Sequence, residues 1–370
     1  MSSPFTLLHS SPIGRRGRLE TAHGPIETPF FMPVGTAGAM KGLTHEDLLA
    51  LGAQILLCNT YHLHLHPGED TVAKAGGLHH FIHWEKPILT DSGGYQVFSM
   101  ARIRSIDDSG VTFRSHVDGS EHRLDPKSAM HIQHKLGGDI IMCFDHCPPS
   151  TAKRLEILEA TDRTLRWAEE CKKQHQILIE QTRPSTELRT GKPANNHPLL
   201  FGIIQGGLER DLREKCAQEL IAMGFDGYAV GGLAVGESEQ EMYDILGAVC
   251  PLLPEDKPRY LMGVGVIDQL KMCVAKGIDM FDCVLPMRIA RHGKVLLSDG
   301  TALDIDKAIF KEDFAPLDPD SPSPLSRNHS RAYLHHLVKT KERYGETVAC
   351  MQNLGVTLEA MRKLRIEIES

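Results

Sequence analysis

Short apolar runs recur along this chain, and each stops at a polar or glycine-rich group. The run Ala53–Cys58 ends in Asn59, Thr60, Tyr61 and His62, and the run before Thr90 ends in Asp91. Asp139–Phe144 ends in Asp145, and Leu199–Ile204 ends in Gln205, Gly206 and Gly207. Gly227–Val230 stops at Gly231 and Gly232, Arg259–Leu261 at Met262 and Gly263, and the run from Ile278 at Asp282. These are about seven strands of the buried type. Helical patterns separate them, starting at Thr44, Pro126, Thr151, Glu209 and Glu239, several with a capping residue in front and a glycine behind. Continuous apolar strands alternating with helices predict a parallel sheet covered on both faces.

Seven or eight such units in roughly 300 residues fit a (β/α)8 TIM barrel of the α/β class, whose active site lies at the C-terminal strand ends. A doubly wound sheet gathers its polar groups at one switch point and would not load nearly every strand end. The expected organisation is a catalytic barrel over residues 1–300 and a C-terminal subdomain over 301–370. The helical part of that subdomain is centred on residues 300–355. The segment Ile177–Asn196 is polar and reads as an exposed loop.

Composition narrows the setting. The chain has 370 residues, 41% hydrophobic and 24% charged, ample for a large core. No run approaches the roughly 20 apolar residues of a membrane span, and the N-terminus lacks a signal-peptide pattern. Nine scattered cysteines, several within apolar runs, read as free thiols in a reducing compartment, so cytoplasm is expected. A net charge of −7 argues against a general polyanion binder. Two local basic stretches remain: Arg288, Arg291, His292 and Lys294 just after Asp282, and residues 327–343.

The candidate chemistry lies in Asp91, Asp145 and Asp282. A carboxylate at the end of an apolar strand is costly to desolvate unless it is hydrogen-bonded or put to use. One such aspartate reads most simply as a turn or helix cap; three of them favour a site. Alone, Gln205 would be a turn residue, Tyr95 and Met262 core residues, and Cys147 a small buried hydrophobe.

The strings NTYHL from Asn59, TDSGGY from Thr90, Phe144-Asp145, GIIQGG from Gly202, GGLAVGE from Gly231, YLMGVG from Tyr260 and GIDMFDCVLP from Gly277 carry a resemblance. Together they resemble the bacterial-type tRNA-guanine transglycosylases, the queuine tRNA-ribosyltransferase family. The likeness runs from about residue 5 to about residue 355. It implies exchange of the wobble guanine of GUN-anticodon tRNAs (aspartate, asparagine, histidine, tyrosine) for preQ1, 7-aminomethyl-7-deazaguanine, in queuosine biosynthesis. The implied route is a double displacement through a covalent enzyme–tRNA intermediate, with no cofactor and with tRNA, guanine and preQ1 as partners.

By resemblance, Asp282 is the nucleophile and Asp91 the acid/base. Asp91, Ser92, Gly93, Gly94, Tyr95, Asp145, Gln205, Gly232 and Met262 bind the flipped base. Gly263, Val264, Gly265, Val266, Ile267, Asp268 and Gln269 would meet tRNA, as would a wobble-region loop of Met287, Arg288, Ile289, Ala290 and Arg291. The last loop carries Ala290 where the family usually has glycine, which puts its backbone path in question. A homodimer is also implied. Val235 follows the pattern of preQ1-accepting members, with queuine the alternative base.

The chain departs from the family at a structural zinc site. After Pro316, Leu317, Asp318 and Pro319, the ligand positions read Ser321, Ser323, Ser326 and Gln352 instead of three cysteines and a histidine. Neutral hydroxyls are poor zinc ligands, so no metal is expected there. Two other functions compete: a non-catalytic tRNA-binding homologue, and a barrel hydrolase or transferase acting on free nucleosides. The first predicts erosion of the catalytic aspartates, which are all present; the second leaves the basic C-terminal part without a purpose.

Overall fold

Strands that are apolar on both faces cannot leave an edge to water, and here the parallel sheet closes on itself. The computed structural model describes residues 3–100, 104–182 and 197–370. Three antiparallel strands come first: β1 (Phe5–Ser11), β2 (Gly14–Thr21) and β3 (Gly24–Thr28). The first barrel strand follows in two pieces, β4 (Phe30–Met32) and β5 (Val34–Gly35), interrupted at Pro33. Next come α1 (His45–Ala50), β6 (Leu56–Cys58), α2 (Thr60–Leu65), α3 (Glu69–Lys74), α4 (Leu78–Ile82), β7 (Ile88–Thr90) and α5 (Gly94–Met100).

An antiparallel sheet of β8 (Arg104–Asp107), β9 (Gly110–Arg114) and β10 (Glu121–Leu124) precedes α6 (Pro126–Leu136). The barrel resumes with β11 (Ile140–Met142), α7 (Arg154–Thr182), β12 (Leu199–Ile204), α8 (Arg210–Met223), β13 (Gly227–Val230) and α9 (Glu239–Val249). It ends with β14 (Arg259–Leu261), α10 (Ile267–Ala275), β15 (Met280–Asp282) and α11 (Leu285–Arg291). A hairpin of β16 (Lys294–Leu296) and β17 (Ala302–Asp304) leads to α12 (Pro324–Asn328), α13 (Arg331–Lys339) and the long α14 (Arg343–Glu369).

The sheet order β4-β15-β14-β13-β12-β11-β7-β6-β5 closes because β4 and β5 are halves of one strand. β4 pairs with β15 (Met280 opposite Phe30, Asp282 opposite Met32), and β5 pairs with β6 (Val34 opposite Leu57), all in parallel. Proline has no N–H to give a ladder, but the Pro33 carbonyl still accepts from the Leu57 N–H at 2.9 Å. The expected (β/α)8 barrel is therefore present, with this proline-broken strand as the unit that periodicity alone did not show.

Two cores divide the work. Inside the barrel, Phe30, Met32, Leu57, Leu89, Met142, Phe201, Ile203, Tyr260 and Met280 pack together. Phe5, Leu19 and Ile26 of β1–β3 join that cluster and plug the N-terminal end of the barrel. The larger core lies between sheet and helices and extends through Val348, Met351 and Leu354 of α14. That helix packs against β1, β2, β4 and α11, so the C-terminal residues return to the barrel wall.

Helix starts follow the caps read from sequence. Thr44 with Asp47, Asp125 with Ser128 and Ser238 with Glu241 each form reciprocal capping boxes, and Gly137 closes α6 at φ 75°. One boundary differs from expectation. Residues 177–182, read as the start of a loop, continue α7, because Leu178 is buried against the larger core; the remainder of that segment, 183–196, lies outside the described residues. Among the described residues, no helix is long and apolar enough to cross a membrane.

Candidate active site

The C-terminal strand ends bring the three predicted aspartates to one rim. Asp91 follows β7 and is buried. Its Oδ1 accepts from the Thr60 N–H at 2.7 Å, its Oδ2 from Asn59 Nδ2 at 2.5 Å, and the Thr60 hydroxyl donates to its main-chain carbonyl at 2.5 Å. Asn59 is also the N-cap of α2, its Oδ1 accepting from the His62 N–H at 3.2 Å. The start of α2 is thus clamped to the carboxylate. Burial pushes Asp91 up to about 7; the Thr60 N–H opposes this, and the nearby charge of Asp282 adds to it.

Asp282 ends β15. Its Oδ1 accepts from the Tyr260 hydroxyl at 2.6 Å and the Gly263 N–H at 3.0 Å. Among the described residues Oδ2 accepts no hydrogen bond, so one oxygen is held and the other is free. Burial raises this carboxyl too, opposed by the Tyr260 and Gly263 donors. The Tyr260 phenol, fully buried beside two carboxylates, is itself held well above its ordinary range and stays a donor.

Asp145, after β11, forms a second polar group beside this pair. Its Oδ1 accepts from Ser92 Oγ at 3.0 Å and its Oδ2 from Gln205 Nε2 at 2.7 Å. Gln205 is 1% exposed, and its Oε1 is buried with no hydrogen-bond partner among the described residues. An unpaired buried amide oxygen beside a carboxylate is expensive, and it offers an acceptor to an incoming polar ring. Gly94 lies so close that a Cβ there would come within 2.9 Å of Asp145 Oδ1. Gly232 sits at φ 64°, and a Cβ on it would come within 2.6 Å of Gln205 Oε1. Only glycine suits these two positions.

Tyr95 opens α5 and is 51% exposed, which excludes the core reading; Met262 is half-buried on top of the inner cluster. Ser92 and Gly93 line the same turn, Gly93 at φ 76° against the Tyr61 backbone. Cys147 is buried nearby, and desolvation together with the Asp145 charge pushes its thiol up to about 12, so it is neutral at physiological pH. Beyond Gly232, the N–H groups of Ala234 and Val235 both donate to the Glu237 carboxylate, and Ala234 holds φ 58°.

The expected tRNA segments are only partly accessible. Val266, Asp268 and Arg288 are exposed and Gly263 is at the surface, with Ile267, Gln269, Ile289 and Arg291 half-buried. Val264, Gly265, Met287 and Ala290 are buried. The reason is that 285–291 is a helix, α11, whose inner face must pack against the core and α14. Ala290 therefore fits without a glycine conformation, and the arginines project from the outer face.

Sequence reading missed two contributors. Asn59 and Thr60 orient Asp91, although only their string was noticed. Arg213 of α8 is fully buried and has no carboxylate partner among the described residues. Its guanidinium donates to the carbonyls of Ile204 (2.6 Å), Gly207 (2.8 Å), Gly231 (2.7 Å) and Gly232 (3.3 Å). It ties the ends of β12 and β13 together beneath Gln205. A lone arginine inside a helix pattern reads as a solvated residue, so only the structure exposes this task.

A closed parallel barrel whose mouth pairs a proton-holding carboxylate with a half-free one, beside an amide–carboxylate reader, defines a barrel enzyme suited to glycosidic bond chemistry. The family model described as "Queuine tRNA-ribosyltransferase" matches residues 10–370. A queuine tRNA-ribosyltransferase of Halothermothrix orenii is 48% identical over 367 residues, covering 99% of this chain and 93% of that protein. That of Moorella thermoacetica is 49% identical over 363 residues (98% and 92%), and that of Pelotomaculum thermopropionicum 46% over 370 (100% and 95%). The chain belongs to the queuine tRNA-ribosyltransferase family.

Two outcomes follow for the site. Asp91 titrates higher in the fold than in an unfolded chain, so its neutral form is favoured on folding. Its contribution to stability is full below about pH 4 and is lost as pH rises through about 7. Urea midpoints measured across that range should fall less steeply for Asp91→Asn than for the wild type. Arg213→Ala leaves four strand-end carbonyls without their donor and should cost about 3–5 kcal/mol by urea unfolding. Arg213→Lys, a point charge without the guanidinium fork, should recover less than half of that.

Proposed function

We propose that this enzyme exchanges guanine at the wobble position of GUN-anticodon tRNAs for preQ1 by two displacements at the ribose C1′. The observation that carries the reading is the division of labour at the rim. Asp282 has one oxygen anchored by Tyr260 and Gly263 and one free, while Asp91 keeps a proton up to about neutral pH. In the first step Asp282 Oδ2 bonds to C1′ and the C1′–N9 bond breaks. Its electron pair leaves with guanine, which takes the Asp91 proton. In the second, preQ1 gives its N9 proton to Asp91 and attacks C1′, and the Asp282 ester bond breaks. Inversion twice returns the base to its original face.

Base reading falls to Asp145 and Gln205. The carboxylate accepts from the N1–H and exocyclic amine, and Gln205 with the Gly232 backbone serves O6. Tyr95, open at the rim, and Met262, polarizable and beneath it, bracket the ring. The choice of preQ1 over queuine rests on the 233–237 loop. Ala234 in the left-handed region stores about 1–2 kcal/mol, and turning the peptide before it exchanges an N–H for a carbonyl that suits an ammonium group.

The C-terminal subdomain, we infer, stands without the family's zinc. The four ligand positions are buried; Ser321 and Gln352 are joined by a hydrogen bond, whereas the Ser323 and Ser326 hydroxyls have no partner among the described residues. Ser321 Oγ donates to Gln352 Oε1 at 2.6 Å, and Gln352 Nε2 donates to Asp318 Oδ2 at 2.7 Å and to the Leu296 carbonyl at 2.8 Å. The Ser323 N–H donates to Ser321 Oγ at 2.9 Å. Serine and amide oxygens do not fit zinc, and the amide spans the gap instead. The nine free thiols, eight of them buried, suit a reducing cytoplasm. A homodimer is the assembly we propose, and the exposed Ile309 and Phe314 of the C-terminal part are compatible with a covered face.

With guanine-containing tRNA, labelled preQ1 should enter in preference to queuine, and Asp282→Ala should lower exchange on the order of a thousandfold or more. The denaturant-stable protein–tRNA adduct should vanish in that variant. Undiminished exchange there would overturn the mechanism, and preferred entry of queuine would overturn the base assignment alone. For the subdomain, a strong chelator should leave amide-exchange protection over residues 316–355 unchanged. Loss of protection confined to that stretch would show that a metal holds it.

A further inference from the structure

At the N-terminal end of the barrel, away from the carboxylate rim, three side chains distant in sequence meet. His23 lies in the turn between β2 and β3, His79 in α4, and Asp139 immediately before β11. His23 Nδ1 is 2.8 Å from Asp139 Oδ1, and His79 Nε2 is 3.1 Å from Asp139 Oδ2. One donor atom from each residue lies within 4.8 Å of the other two.

The simplest account is a carboxylate holding two neutral imidazoles by hydrogen bonds, and for His23 that account works. For His79 it fits poorly. Its Nε2 is buried and pairs with Asp139 Oδ2 at 3.1 Å, close enough to help hold that carboxyl low but poorly aligned as a hydrogen bond, and it has no other hydrogen-bond partner among the described residues. A nitrogen and an oxygen that close without good alignment are what neighbouring ligands of one cation show, because each aims its lone pair at the ion. Asp139 is otherwise anchored, its Oδ2 accepting from the Ile88 N–H at 2.8 Å and its Oδ1 from the His23 N–H at 3.1 Å. The carboxylate is therefore preset.

His23 is the adjustable member. Its side chain is 40% exposed, and its ring stacks on His79 at 3.5 Å between centroids and 13° between planes. Parallel rings cannot both point at one ion, so His23 must turn out of the stack. A cavity of about 220 Å³, lined in part by His23, Gly138, Asp139 and His197, gives it room.

We propose that His23, His79 and Asp139 form a divalent transition-metal site of the zinc type, with water completing the coordination. Two imidazole nitrogens and a carboxylate oxygen are a common zinc donor set. The ion takes His23 through Nδ1 and His79 through Nε2, leaving the ring protons on Nε2 and Nδ1. It joins the β2–β3 hairpin, α4 and the start of β11 across the barrel floor, and it takes no part in base exchange.

The test uses untagged, full-length, chelator-stripped protein titrated with zinc by calorimetry and with cobalt by visible absorption. The wild type should bind about one ion with a tetrahedral cobalt spectrum, and zinc should raise its melting temperature. His23→Ala combined with His79→Gln should weaken binding at least about tenfold and abolish the thermal shift. The glutamine can still donate to Asp139, and His23→Ala alone, at an exposed turn, guards against misfolding of the pair. His197→Ala should bind like the wild type. Absence of binding to the wild type, equal binding by the double variant, or loss of binding in His197→Ala alone would overturn the site.

Discussion

Desolvation of carboxylates at the mouth of a closed barrel is the constraint from which the rest of this structure follows. A strand buried on both faces delivers its last residue to the rim with little water around it, and a charged group there is disfavoured. Each aspartate is compensated differently. Asp91 receives the start of α2 and still keeps its proton to about neutral pH, because burial disfavours its charge and nearby Asp282 adds repulsion. Asp282 receives a phenol and one N–H on a single oxygen, which stabilises the anion without covering the other oxygen. Two chemically identical side chains thus acquire opposite tasks from their neighbours.

Holding such groups in place requires rigid strand ends, and the barrel supplies this in an unusual currency. Arg213 keeps a full charge beneath Gln205 without any counter-carboxylate, satisfied by four carbonyls of the β12 and β13 turns. Burial lowers its affinity for the proton to about 10, still far above physiological pH, so the fork remains cationic. The carbonyls it gathers belong to turns whose glycines reject side chains, so backbone and guanidinium together shape the wall around Gln205. The floor of the barrel is closed separately by Phe5, Leu19 and Ile26, leaving the rim free of any duty to the core.

What could be read from the chain reflects which constraints are local. An apolar run that stops at a polar group is visible in a window of a few residues, so seven strand ends and the three aspartates were legible. The eighth strand was not, because Pro33 splits Phe30–Gly35 into halves that pair with different neighbours, and each half is too short to show a period. The β8–β10 sheet escaped because Arg104–Asp107 and Glu121–Leu124 are mostly polar and gain their pairing only from β9. Asn59 and His23 reach their aspartates across 32 and 116 residues of sequence, and Arg213 reaches Gly231 across 18. No periodicity carries such long-range pairing. The helix at 285–291 was missed for a different reason: it is only about two turns long, and the expectation of a loop came from the resemblance.

If the C-terminal subdomain stands without zinc, as proposed, its polar cluster and its apolar packing must do the metal's work. A zinc site draws four ligands to one point by strong, directional bonds, and removing them singly would leave buried, unpaired groups. Here all four positions have changed together, to small hydroxyls and one amide whose two ends match different partners. Gln352 accepts from Ser321 and donates to Asp318 and the Leu296 carbonyl, so it reaches the loop before α12 and β16 from one turn of α14. Asp318 in turn accepts from the Ser298 N–H at 2.8 Å and its hydroxyl at 2.7 Å, which extends the network to the hairpin loop. Each such bond is worth about 1 kcal/mol net, far less than a metal ligand. The difference is made up by burial of α14 along the barrel wall, where Val348, Met351 and Leu354 already join the main core. A helix anchored by its own apolar face needs only orientation from the polar cluster, and an amide with two well-placed partners provides that.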